Sequence, residues 1–115
     1  MIYKKEAVVV ETRKELRGGP GDTVLHHLVS SDGLPKKCRL FCEMRLEPGC
    51  GIGEHPHNGE TEFYYVLRGE GVVSDNGKDV ALRQGDCMST GNGESHSIMN
   101  KGTETLVFIA CIVLD

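Results

Sequence analysis

The sequence has no tryptophan, and only 5% of its residues are aromatic. It therefore offers little of the stacking surface on which single-stranded nucleic acids bind. Thirteen Lys and Arg residues stand against 17 Asp and Glu, for a net charge of −4, and no basic stripe interrupts that balance. A phosphate-backbone binder is excluded as the first reading, and no nucleic-acid partner is expected. Long apolar runs are also missing. The longest, Leu106 to Leu114, falls far short of the roughly 20 residues that a membrane-spanning helix needs, so no membrane partner is expected. The opening residues, Met1-Ile2-Tyr3-Lys4-Lys5-Glu6, lack the apolar core of an export signal, and the expected location is cytoplasmic. The cysteines Cys38, Cys42, Cys50, Cys87 and Cys111 are odd in number and contain no CxxC pair. They are expected to be reduced thiols that pack as small hydrophobes.

Turn-forming residues are abundant. Fifteen glycines and four prolines in 115 residues are hard to place in a helical bundle, where each interior Gly or Pro weakens a helix. They suit short strands joined by tight turns, in a chain long enough for one domain. Residues 1–37 read as an N-terminal arm with the first strand or strands. That arm holds a β-prone patch at Ala7–Val10, a short helix opening at Thr12 and stopped by Gly18-Gly19-Pro20, and a strand over Thr23–Val29. Residues 38–115 read as the core of a barrel. Leu40, Cys42, Met44 and Leu46 alternate with Phe41, Glu43, Arg45 and Glu47, which places the first set inward and Arg45 on the solvent side. Further strands are expected at Thr61–Leu67, Gly71–Ser74, Asp79–Leu82, Cys87–Ser89, Ser95–Asn100 and Leu106–Leu114. Asn58-Gly59 and Asn76-Gly77 are dipeptides that favour two-residue hairpins. The last strand is apolar on both faces, so its outer face needs a cover, either the arm or a second copy of the chain.

Three of the five histidines carry the chemistry. His55 and His57 are two residues apart with Pro56 between them. In an extended chain they share one face, about 6–7 Å apart along the strand, whereas on a helix they would diverge. A turn then leads to a strand with Glu62 near its start, and Glu60 shares its parity. His96 lies on a later strand. Three imidazoles and one carboxylate from three strands have the composition of a site for one divalent transition metal. A four-coordinate zinc would close such a site, while an ion preferring six ligands would leave two positions open. His26 and His27, adjacent and therefore on opposite faces, read as ordinary core or surface residues. Tyr64, Cys42, Met44 and Ile98 face the same interior by parity and are candidate lining of a substrate pocket. Asn100 shares that parity or holds a turn at the strand end.

The pattern Gly49-x5-His55-x-His57-x4-Glu62-x6-Gly69 resembles the first motif of the cupin superfamily. Gly85-x5-Gly91-x-Gly93-x2-His96-x3-Asn100 resembles the second, with Gly91 where the family usually has proline. Gly18-Gly19-Pro20-Gly21, Cys38-Arg39-Leu40-Phe41 and Leu46-Glu47-Pro48-Gly49 are similar to a group of small single-domain bacterial cupins described as manganese-binding and oxalate-decarboxylase-like. The resemblance implies an all-β fold, a double-stranded β-helix or jelly-roll barrel. It also implies metal ligands His55, His57, Glu62 and His96, a preference for Mn with Fe, Ni, Co or Zn as alternatives, and a homodimer. It implies a protein that binds or acts on a small carboxylate or other oxygen-bearing ligand. Dioxygenase or decarboxylase-like chemistry lies within the family's repertoire, and a non-catalytic binding or sensing module is the alternative. In the resembling oxalate decarboxylases an arginine stands three residues before the first motif histidine, and here that position is Ile52. A dianionic ligand on a centre of net charge near +1 needs a further cation, and the barrel strands do not supply an obvious one.

Overall fold

A computed structural model describes residues 1–115 and contains ten strands, three single 3-10 turns and no α-helix. The strands are β1 (Val9–Lys14), β2 (Asp22–His27), β3 (Cys38–Leu46), β4 (Gly51–Pro56), β5 (Glu60–Arg68), β6 (Glu70–Asp75), β7 (Lys78–Arg83), β8 (Cys87–Gly91), β9 (Ser95–Met99) and β10 (Leu106–Leu114). They form two antiparallel sheets, β1-β2-β3-β10-β5-β8 and β4-β9-β6-β7. The two sheets face each other as the halves of a jelly-roll barrel. The alternating residues of β3 enter the core as expected, with Cys42 and Leu46 fully buried and Met44 nearly so. They meet Tyr64, Val66, Leu106, Phe108 and Ala110 from the same sheet and Ile52, Val73 and Ile98 from the other. All five cysteines are free thiols.

Three local features depart from simple strand alternation. The helix expected after Thr12 does not form. Residues 9–14 pair as a strand with β2, and only the single turn Leu16–Gly18 remains, because tertiary pairing overrides a weak local cap signal. Asn76-Gly77 makes the expected hairpin between β6 and β7, with both residues at positive φ, the backbone of a type I′ turn. Asn58-Gly59 does not. The strands beside it belong to opposite sheets, so the turn carries the chain across the barrel. The outer face of the larger sheet is also not covered by the arm. β1 and β2 extend the sheet at its β3 edge instead, leaving Phe63, Tyr65, Leu67 and Val113 exposed.

Two of the three register shifts re-aim side chains around the centre of the barrel. On β3, Leu40 faces Ile112 and Cys38 faces Val113, so Arg39 is an extra residue with no partner on β10. On β4, Ile52 faces Ile98 and His55 faces His96, which puts one extra residue into β4 between them. A bulge of this kind bends the strand and lets side chains that parity would separate share a face. Ile52 and His55 are both buried as a result.

The loop between β1 and β2 is pinned across the open side of the barrel. Gly51 N–H donates to Pro20 O at 2.9 Å and Glu15 N–H to Gly21 O at 2.8 Å. The fit is backbone on backbone. A Cβ on Gly19 would overlap the Gly51 carbonyl, and one on Gly53 would overlap the Arg17 carbonyl. Gly19→Ala and Gly53→Ala are therefore expected to destabilise the fold by about 1–3 kcal/mol each through overpacking, read by urea or thermal unfolding. Wild-type stability in both variants would show that the loop is not seated on β4.

Candidate metal centre

Three strands or their ends deliver four polar side chains to one point inside the apolar barrel. His55 sits beyond the β4 bulge, directly across from His96 on β9. His57 follows β4, where its backbone exchanges hydrogen bonds with the 93–94 turn: His57 N–H to Glu94 O at 3.0 Å and Gly93 N–H to His57 O at 2.8 Å. Glu62 lies on β5, between Ile112 of β10 and Thr90 of β8. All four side chains are buried, the most exposed being His55 at 7%. Their ligating atoms lie within 4.8 Å of one another. His96 Nε2 is 3.0 Å from His57 Nε2 and 3.1 Å from both His55 Nε2 and Glu62 Oε1. His57 Nε2 is 3.0 Å from the same carboxylate oxygen.

The opposite edge of each imidazole is also engaged. His55 Nδ1 lies 2.7 Å from Gly53 O, and His57 Nδ1 makes a short contact with the Glu60 carboxylate. A carbonyl and a carboxylate only accept, so both rings carry their proton on Nδ1 and present an Nε2 lone pair to the centre. The Thr90 hydroxyl, 2.9 Å from His96 Nδ1, anchors the third ring and can serve its Nδ1 as donor or acceptor. Glu60 is itself gripped by Arg39 through two contacts of 2.7 Å. Tyr64 stacks on His96 with ring centroids 4.7 Å apart and 15° between planes, which fixes that ring from its face.

Imidazole lone pairs aimed at one another across 3.0–3.1 Å repel unless a cation lies between them. The donor set therefore fits a metal ion. Another pair is wider, with His55 Nε2 3.9 Å from Glu62 Oε1, and all four donors fall within the reach of a single ion. In the metal-free protein the same nitrogens compete for protons. Glu62, with Glu60, raises the pKa of His57 against the opposing effect of burial, while burial lowers that of His96. Burial pushes the Glu62 carboxyl upward, but its three imidazole neighbours outweigh this and hold it well below the ordinary carboxylate range. Arg39, offset in part by burial and reinforced by His57, keeps Glu60 ionised with a pKa of about 2.

The centre forms the floor of a cavity of about 490 Å³. His55, His57 and Glu62 face it, and Met44, Ile52, Tyr64, Leu40 and Ile112 form an apolar wall. His96 closes the floor from behind, with no exposed surface. Of the residues that parity placed toward a pocket, Met44 and Tyr64 line this cavity. Cys42 and Ile98 do not, and lie fully buried in the hydrophobic core. Burial pushes the Cys42 thiol up to about 12, so it is an inert packing group rather than a nucleophile. Asn100 holds a turn. Its amide donates to Leu46 O at 2.8 Å and Glu104 O at 2.7 Å, and its carbonyl accepts from Gly102 N–H at 2.9 Å.

Sequence reasoning missed the charged rim. Glu11, Arg13, Arg17, His27 and Arg39 all border the cavity. Arg39 has outward parity on β3 and reaches the site only because of the bulge. Glu11, Arg13 and His27 arrive because β1 and β2 join the sheet beside β3. His27 Nε2 is 2.6 Å from Glu11, and Arg13 is 2.9 Å from the same oxygen.

Comparison with known proteins points one way. A family model described as a cupin domain matches residues 42–113. A protein of Thermotoga maritima named oxalate-binding protein is 46% identical over 114 residues, covering 99% of this chain and 94% of that protein. A crystal structure from Thermotoga maritima, described as a predicted oxalate decarboxylase, superposes with a TM-score of 0.94 at 45% identity over 100% of both chains. An RmlC-like cupin from Shewanella frigidimarina shares the fold alone, with a TM-score of 0.73 and 16% identity over 99% of this chain and 90% of that one.

The pH dependence follows from the signs. The raised pKa of His57 gives the metal-free protein stability that is full below the ordinary histidine value and is lost as pH rises through the folded value. A metal must displace that proton, so it stabilises more as pH rises. The increase in melting temperature on adding one equivalent of Mn is expected to grow from about pH 5.5 to about pH 8. A pH-independent increment would contradict the shared use of these nitrogens by proton and metal.

Proposed function

The chain belongs to the cupin family, and from that footing we propose that it is a metal-dependent receptor for small dicarboxylates, with oxalate as the type ligand and manganese as the favoured ion. The observation that carries this reading is the convergence of three imidazole lone pairs and Glu62 on the floor of a cavity open to ligand. An ion that prefers six ligands, as manganese does, would keep two positions beyond the four protein ligands for a chelating carboxylate pair. The metal supplies a Lewis-acidic centre of net charge near +1 once Glu62 is counted.

The chain's own residues do the rest. His55, His57, Glu62 and His96 hold the ion. Gly53 O and Glu60 keep the His55 and His57 rings in the ligating tautomer, Thr90 orients His96, and this outer support typically matters 10–100-fold in metal affinity. The wall of Met44, Ile52 and Tyr64 excludes water from one side of the ligand and strengthens its electrostatic attraction to the floor. The relative named as oxalate-binding supports the ligand class.

Binding rather than turnover is favoured by the state of the nearby acids. Glu60 is tied to Arg39 and His57, Glu11 accepts from Arg13 and contacts His27, and Glu62 faces the ion. Burial raises the pKa of the Tyr64 phenol well above its ordinary value. None is a free group poised near neutral pH to exchange a proton with a ligand. A homodimer that covers Phe63, Tyr65 and Leu67 belongs to the same proposal, since these apolar side chains form one exposed strip on β5.

Metal analysis and calorimetry test the reading together. Protein purified without a metal-affinity step is expected to take up one Mn per chain and then to bind oxalate. Glu62→Gln and His57→Ala are expected to lose the metal and, with it, at least about a hundredfold in oxalate affinity. A fully Mn-loaded protein that shows no oxalate binding would sink the proposal.

A further inference from the structure

Resting on the reading of the site as a dicarboxylate receptor, we propose that Arg17 recognises the second negative charge of the ligand and so selects dianions over monoanions. Three arginines border the cavity, and two are already committed. Arg13 pairs with Glu11 at 2.9 Å, and Arg39 holds Glu60 through two contacts of 2.7 Å. His27 is likewise taken up by Glu11. Arg17 has no ion pair and no side-chain hydrogen bond, and it is the cation on this rim whose charge is not answered by the protein.

The charge at the centre requires such a group. A divalent ion beside Glu62 retains a net charge near +1, so a dianion bound to it leaves one negative charge uncompensated in a partly apolar cavity. An unanswered charge there is costly, and a guanidinium, with its planar fork of donors, is well suited to a carboxylate. A monoanion needs no such partner.

Arg17 is also held for the task. Its backbone is left-handed at φ 54°, ψ 30°, a strained conformation for a non-glycine residue that persists only where its surroundings enforce it. Here they do. Leu16 packs against the core on one side of it, and Gly19 and the Gly51–Gly53 backbone fix the loop on the other. The Arg17 carbonyl lies against Gly53, whose own carbonyl accepts from the His55 ring. The loop between β1 and β2 thus brings an arginine to the segment that carries the first histidine of the centre. Removing an exposed, unpaired side chain should leave the fold and the four metal ligands in place.

The test compares two ligands on Mn-loaded protein by calorimetry: oxalate, and glycolate as a chelating monoanion. In Arg17→Gln, oxalate is expected to bind about ten- to a hundredfold more weakly, the value of one charge-assisted hydrogen-bonded contact. Glycolate binding, Mn stoichiometry and melting temperature are expected to stay near wild type. Arg17→Lys, which keeps the charge, is expected to recover most of the selectivity. Equal weakening of both ligands, or unchanged oxalate affinity in Arg17→Gln, would overturn the role of Arg17 while leaving the receptor reading intact. Failure of wild-type protein to bind oxalate would overturn the receptor reading itself, and the role of Arg17 with it.

Discussion

Three imidazole lone pairs and a carboxylate pointed at one another inside an apolar barrel form an arrangement that a protein does not adopt without a cation to share. Much of this structure is organised around holding that arrangement still. The His55 and His57 rings cannot turn their N–H groups inward to relieve the repulsion, because the acceptors Gly53 O and Glu60 occupy their other edges, and Thr90 anchors His96. Nor can they tilt away. Tyr64 stacks on His96, and Phe108 in turn meets Tyr64 edge to face at 4.8 Å. The barrel core is thus the rigid support of the site as well as the source of the fold's stability.

Two single-residue insertions into otherwise regular strands connect fold to chemistry. The β4 bulge lets Ile52 and His55 both face inward, so that a hydrophobic wall and a metal-facing ring come from one short strand. The β3 bulge brings Arg39 to the Glu60 carboxylate, which orients His57. Each is a local irregularity in pairing with a consequence at the centre of the molecule. The β1–β2 loop adds a third device. Its glycines permit a backbone-to-backbone fit on β4 that any side chain would prevent, and this fit places Arg17 at the rim.

These devices also explain what could be read from the sequence. The cluster of His55, His57, Glu62 and His96 was legible because its signal is local: a His-x-His pair in an extended segment, a carboxylate a few residues on, and a later histidine framed by turn glycines. The barrel strands were legible from alternation, as in Leu40, Cys42, Met44 and Leu46. The rim was not. Arg39 has the wrong parity unless the bulge is known, and a bulge is a property of pairing with β10 rather than of β3 alone. Arg17 and His27 lie more than 25 residues before the first motif histidine, and only the tertiary docking of β1 and β2 brings them near. The helix expected at Thr12 failed for the same reason, since strand pairing at the sheet edge outweighed a local cap. Parity also assigned Cys42 and Ile98 to a pocket, because it distinguishes inside from outside but not cavity wall from packed core.

The central claim is that His55, His57 and His96 present Nε2 lone pairs, with Nδ1 protonated, to a single ion also held by Glu62. Nitrogen-detected NMR of isotope-labelled protein loaded with a spin-active cadmium isotope tests it most directly. The account predicts one cadmium resonance coupled to the Nε2 nitrogens of three rings, each retaining its Nδ1 proton. Coupling through any Nδ1, fewer than three coupled rings, or a second bound ion would contradict it.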